Sequence, residues 1–136
     1  MTIPLYALIG FVFWTVFLVL AIGASRVSQV VAGKAGPTSF PAGQPHGTDM
    51  YWRLNRAHLN CIENIPLFAA VVLAGHVSGH SAGSFATLAQ VYMAARVAQS
   101  LTHISSGSVV AINVRFGFFA TQIVCLLTMA VKIVNG

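Results

Sequence analysis

Residues 56–68 read RAHLNCIENIPLF, a segment that places an arginine, an asparagine and a glutamate among apolar side chains. At 100° per residue in a helix, Arg56, Asn60 and Glu63 fall within about 60° of one another and form one polar stripe. An ionised side chain at bilayer depth costs about 2.5–3.5 kcal/mol on insertion scales. A membrane helix with this sequence must therefore turn the stripe away from lipid.

The stripe allows two interpretations. Arg56 and Glu63 could form an internal ion pair that only holds helices together. Their i, i+7 spacing, however, lets them reach each other only through Asn60 or a third group. That leaves donors and an acceptor free to hold a zwitterionic ligand.

The composition of the whole chain agrees with a membrane location. Of its 136 residues, 57% are hydrophobic and 7% are charged, and the mean hydropathy is +0.80; a soluble domain lies far from these values. We predict an all-α integral membrane four-helix bundle in a single domain. Its spans are expected at about residues 3–25, 50–76, 85–102 and 109–134.

The positive charges predict how the chain is oriented. The formal charge is +5, but the cations are too scattered to make a nucleic-acid-binding patch. Arg26, Lys34, Arg53 and Arg56 surround the loop after the first span, and the turn after the second span has no lysine or arginine. The positive-inside rule puts the first and third connections in the cytoplasm and both termini on the opposite side.

The third span repeats the pattern of the second. Tyr92, Arg96, Gln99 and His103 have the spacing i, i+4, i+7, i+11 and again fall on one stripe. Taken singly, Tyr92 could be an aromatic anchor and His103 an interfacial imidazole. Arg96 lies in mid-span and needs a partner, for which Glu63 is the one carboxylate within the predicted spans.

Counting charges indicates the class of ligand. The cytoplasmic half of the bundle is expected to gather Arg53, Arg56, Arg96 and Arg115 against a single acid, Glu63. An anionic tripeptide suits this excess of cations better than a metal or a nucleotide. The chain has no clustered carboxylates for Mg²⁺, no metal-binding spacing of cysteine or histidine and no glycine-rich phosphate loop. A ligand ammonium would pair with Glu63.

These residues carry a family resemblance. The run R-x-x-x-N-x-x-E-N-x-P-L-F that starts at Arg56, followed by Y-x-x-x-R from Tyr92, resembles the MAPEG family of eicosanoid and glutathione metabolism. That family includes microsomal glutathione transferases, and the four-span layout is similar over nearly the whole chain. The resemblance implies a homotrimer that binds glutathione, as co-substrate, between neighbouring protomers at the cytoplasmic end.

The resemblance also implies roles for individual residues. By position, the residues that would hold glutathione are Arg56, Asn60, Glu63 and Arg96, supported by Tyr92 and Arg53. Relatives that make eicosanoids often carry tyrosines at the positions of Gln99 and His103, and we include both in the predicted site.

Arg115, near the start of span four, is the predicted catalytic residue. We expect it to stabilise the glutathione thiolate, whereas a purely structural interpretation has it snorkelling to the interface. The second substrate would be a lipophilic electrophile or hydroperoxide that arrives from the membrane lipid, which predicts transferase or peroxidase activity.

Two other functions compete with this one. The stripes could bind an anionic lipid headgroup or fix helix packing in a non-enzymatic membrane protein. Alternatively, Glu63 could serve as a proton relay in a small transporter subunit; a relay usually needs several acids, and this chain offers one.

Overall fold

The computed structural model describes all 136 residues and contains four α-helices and no strand. The helices are α1 (Ile3–Val31), α2 (Asp49–Val77), α3 (Gly83–Ser105) and α4 (Val109–Val134). This confirms the predicted all-α class and the order of the four helices.

Three of the four helices, α1, α2 and α4, are long and apolar enough to cross a membrane. The third, α3, has 23 residues, which corresponds to about 35 Å at 1.5 Å per residue and is sufficient length for a span. It has no continuous stretch as apolar as those in the other three helices, because its polar stripe interrupts the apolar residues. Its status as a membrane span stays a prediction.

Two helices extend beyond their predicted ends. Helix α1 continues to Val31, so Arg26 lies on the helix instead of following it. Helix α3 runs from Gly83 to Ser105 and therefore includes His103 in its last turn. Hydropathy marks where side chains stop being apolar, whereas the backbone hydrogen bonds that define a helix continue through polar residues.

Capping side chains set the starts of α2 and α4. The Thr48 hydroxyl accepts a hydrogen bond from the Tyr51 N–H at 3.2 Å, so Thr48 is the N-cap of α2. The Ser108 hydroxyl accepts from the Ala111 N–H at 3.2 Å. Each bond satisfies one of the free N–H groups of a first turn.

Helices α2 and α3 occupy the centre of the bundle. Each packs against all three other helices, whereas the backbones of α1 and α4 stay apart, and α3 lies with its polar face towards its neighbours. The residues of its polar stripe are consequently buried in the protomer: Tyr92, Arg96, Gln99 and His103.

The tight turn between α2 and α3 depends on a glycine. A Cβ added to Gly75 would overlap the ring of Phe85 and come within 3.0 Å of the His80 carbonyl oxygen. The absence of a side chain lets α3 start against α2, and this holds the two polar stripes on facing helices.

Candidate functional site

A cleft near the end of the bundle that carries the 32–48 loop brings together polar residues from three helices. Its volume is about 290 Å³. The residues that line it are Arg56, Asn60, Gln99, His103, Ile112, Arg115, Phe116 and Phe119. Five of the nine predicted site residues meet in this polar cleft.

Asn60 of α2 is hydrogen-bonded to His103 of α3. The Asn60 Nδ2 lies 3.3 Å from the His103 Nδ1. Because an amide nitrogen only donates, Nδ1 is the acceptor, and a neutral His103 carries its proton on Nε2. His103 can therefore offer an N–H donor, while the Asn60 Oδ1 remains an acceptor.

Gln99 is bonded to a residue that the sequence analysis missed, Gln122 of α4. The Gln122 Nε2 donates to the Gln99 Oε1 at 2.9 Å and to the Phe118 carbonyl oxygen at 3.0 Å. A signal for Gln122 was present: it follows Arg115 by seven residues, which puts the two on one stripe of α4, as in α2 and α3. A single glutamine on an otherwise apolar helix, however, forms no motif by itself.

Arg115 and Arg56 give the cleft its charge. Arg115 is half-buried, and its Nε is buried without a hydrogen-bond partner. Arg56 is exposed at the rim. Two guanidinium groups and no carboxylate line the cleft, so its electrostatics favour an anion.

Two predicted residues lie deeper, outside the cleft. The Tyr92 ring stacks on Phe68 with centroids 4.2 Å apart. The Arg96 guanidinium sits 5.6 Å from the centre of the Phe11 ring. We call Phe11, Phe68, Tyr92 and Arg96 the aromatic interior. Arg96 is 1% exposed, and its Nε and Nη2 have no hydrogen-bond partner.

Glu63 lies on the outside of the protomer. Its side chain and that of Arg56 are both exposed on α2, so neither is enclosed as an interior ion pair would require. The expectation that Glu63 partners Arg96 is wrong within one protomer, because no ion pair joins them and the Arg96 Nε and Nη2 have no hydrogen-bond partner.

Arg53 links two helices at the same end of the bundle. Its Nε donates to the Ile104 carbonyl oxygen at 3.0 Å. This satisfies one of the free carbonyls in the last turn of α3, where a cation also complements the helix dipole. In the protomer Arg53 supports the cleft without lining it.

The 32–48 loop forms a second cavity beside the first. Its volume is about 280 Å³, and Arg56 lines both cavities. The Tyr51 hydroxyl accepts from the Arg26 Nε at 2.8 Å and lies 3.3 Å from the His46 Nε2. These bonds hold the loop against α1 and α2, an anchor that the sequence analysis did not anticipate.

The chain matches a known protein family along nearly its whole length. The model of the MAPEG family matches residues 4–135, essentially the whole chain. No curated protein matches the sequence.

Proposed function

This chain belongs to the MAPEG family, and we propose that it is a membrane-embedded, glutathione-dependent transferase that also reduces lipophilic hydroperoxides. The family includes glutathione transferases and members without enzymatic activity, so the activity has to be argued from the site. The observation that carries the proposal is the polar cleft, in which two guanidiniums, an imidazole and two amides converge without any carboxylate.

Glutathione matches the groups in and beside this cleft. Its carboxylates suit charge-assisted hydrogen bonds from Arg56, which leaves Arg115 for the thiolate. Its ammonium needs acceptors, which the Asn60 Oδ1 and the Glu63 carboxylate supply from adjacent turns of α2. Three predicted residues lie outside the cleft and would then support the packing of the helices instead of contacting glutathione directly: Arg53, Tyr92 and Arg96.

The position of Glu63 supports an oligomer. It is the fifteenth of the 29 residues of α2, which places an exposed carboxylate near mid-span. Leaving it against lipid costs about 2.5–3.5 kcal/mol on insertion scales. A neighbouring protomer would cover this face and complete the site, in keeping with the proposed homotrimer.

The proposed role of Arg115 is to stabilise the thiolate. A free thiol with a pKa of about 8.5 is about 3% ionised at pH 7, and a guanidinium that lowered this pKa by about two units would raise the fraction to about three quarters. The weaker basicity costs nearly tenfold in nucleophilicity at a Brønsted slope of about 0.4–0.5. The net gain is a few-fold, so positioning the thiolate must contribute most of the rate.

The cleft has an apolar wall for the second substrate. Ile112, Phe116 and Phe119 of α4 line it, and Phe116 is 68% exposed. A lipophilic substrate could reach the thiolate along this wall without crossing water. With an aryl halide, an S–C bond forms and halide leaves with its electron pair, while the thiol proton passes to solvent.

With a hydroperoxide, the thiolate attacks the terminal oxygen and the O–O bond breaks to release an alcohol. The resulting sulfenic acid reacts with a second glutathione to give the disulfide and water. Glutathione is therefore the reductant, and no protein cysteine takes part.

Calorimetry on purified protein in detergent tests the proposal. Glutathione should bind with measurable heat, and so should S-methylglutathione, which lacks a free thiol. Only glutathione should support turnover of an aryl halide or a lipid hydroperoxide. No heat with either peptide would end the proposal, and tightly held anionic phospholipid without thiol-dependent turnover would favour the lipid-binding alternative.

A further inference from the structure

The amide of Gln122 is used entirely as a donor inside the protein. It is 1% exposed, and its nitrogen donates to Gln99 at 2.9 Å and to the Phe118 carbonyl oxygen at 3.0 Å. A primary amide has two N–H groups, and these two bonds use both.

Phe118 decides which way round this amide lies. A backbone carbonyl oxygen only accepts, so turning the amide over would set two oxygens against each other. The nitrogen of Gln122 must therefore face Phe118 and Gln99. This in turn draws the carbonyl oxygen of the Gln99 amide towards Gln122 and directs its nitrogen elsewhere.

We propose that Gln122 is a positioning residue for glutathione: it orients the Gln99 amide so that the Gln99 Nε2 presents its N–H groups to an anionic group of the peptide. Gln99 lines the polar cleft and Gln122 does not, so Gln122 acts through its neighbour. The inference rests on the proposed function, because it names how that same site receives its ligand.

The buried oxygen of Gln122 argues against a role in packing alone. The Gln122 Oε1 has no hydrogen-bond partner, and burying an unpaired acceptor is unfavourable. Methionine or leucine would fill a similar space without that penalty. The N–H that Gln122 donates to Gln99 explains why a glutamine is present here in spite of its unpaired buried oxygen.

A hydrogen bond from Asn60 orients His103 in the same way as the bond from Gln122 orients Gln99. Asn60 donates to the His103 Nδ1, which leaves the Nε2–H of His103 as a donor. Four residues then present hydrogen-bond donors to the cleft: Arg56, Gln99, His103 and Arg115. Among the amides and the imidazole of the cleft, the one acceptor that remains free is the Asn60 Oδ1. Gln122 and Asn60 together set this polarity.

The test compares glutathione affinity across substitutions at two positions. Gln99→Met should raise the Kd for glutathione about fivefold to tenfold, the value of one lost hydrogen bond. Gln122→Met should raise it about threefold to fivefold, because the freed Gln99 amide can present either end. The double variant should be no weaker than Gln99→Met alone, since Gln122 acts only through Gln99.

Further readouts separate positioning from structure. Gln122→Met should leave kcat at saturating glutathione within about twofold, because a ground-state contact is lost, and its thermal stability should equal or exceed that of the wild type. Gln122→Glu should weaken binding more than Gln122→Met does, since a carboxylate accepts from Gln99 and turns the Gln99 oxygen to the cleft. Gln90→Met is the matched control: nine residues before Gln99, it lies on the opposite, exposed face of α3.

The outcomes distinguish the two proposals. If wild-type protein binds glutathione and Gln122→Met binds it equally well, the positioning role is wrong and the proposed function stands. Losses that multiply in the double variant would also reject it. If the wild type does not bind glutathione, both proposals fall.

Discussion

The polar cleft and the aromatic interior share one stripe of α3 but differ in what surrounds it. Gln99 and His103 bond to side chains of neighbouring helices and line an open cleft. Tyr92 and Arg96, one to two turns earlier, are enclosed by aromatic rings. Residues on the same face of a helix therefore need not have the same role. Their position along the helix axis decides which side chains of the neighbouring helices they contact.

The largest expected effect lies in the aromatic interior. Phe68 is fully buried, so Phe68→Ala should destabilise the protein by about 3–5 kcal/mol, measured as a lower thermal unfolding temperature in detergent. Phe13→Ala makes the same change at an exposed ring and should have little effect. Equal losses for the two variants would mean that this interior is not the packed centre of the bundle.

The next effect belongs to the cleft and should appear in turnover. Arg115→Ala should lower kcat for aryl halide conjugation about 30-fold to 100-fold, because it removes both the few-fold gain in thiolate reactivity and the donor that holds the thiolate in position. The Kd for glutathione should change less, about threefold. Lys132→Ala removes a cation from the far end of α4 and is the control. Normal turnover in Arg115→Ala would remove this residue from catalysis.

A paired substitution tests the boundary between the two regions. Arg56→Met should raise the Kd for glutathione about tenfold, because it removes a charge-assisted hydrogen bond. Arg96→Met should change the Kd less than about threefold and should keep or raise thermal stability, since it replaces a buried charge that is already unpaired. A tenfold loss of affinity in Arg96→Met would put this arginine back in direct contact with the ligand.

The smallest expected effect concerns Arg53, which links α2 to the end of α3 beside the cleft. Arg53→Met removes the hydrogen bond to the Ile104 carbonyl oxygen and should cost about 1 kcal/mol of stability. Glutathione affinity should fall less than about twofold, because Arg53 does not line the cleft. If affinity falls as far as in Arg56→Met, Arg53 contacts the ligand and the cleft extends further than these lining residues.

Part of the site could be predicted because it depends on local spacing. The stripe in α2 placed Arg56 and Asn60 together, the stripe in α3 added Gln99 and His103, and the count of cations added Arg115; all five line the cleft. Spacing gives the angle of a side chain around its own helix. It does not say where along that helix a neighbour moves away to leave space, so Arg96 was grouped with residues that it does not join.

Gln122 is a second case in which helical spacing does not predict a contact between helices. Its significance comes from a contact with Gln99, 23 positions earlier in the chain. The spacing from Arg115 gives the angle of Gln122 around α4 but does not predict that contact. Glu63 was predicted to face the interior, but it is exposed on the protomer. A rule that charges avoid lipid cannot tell burial within a chain from burial by a neighbouring copy.

The amino-acid sequence alone determined the helical class, the membrane character and the family resemblance, because hydropathy, helical periodicity and a short motif are properties of local sequence. Only the tertiary structure decided which polar residues share a cleft, which lie among aromatic rings and which bond to Gln122. Those outcomes depend on where α2, α3 and α4 approach and separate. That geometry results from packing between distant residues and cannot be read along a single helix.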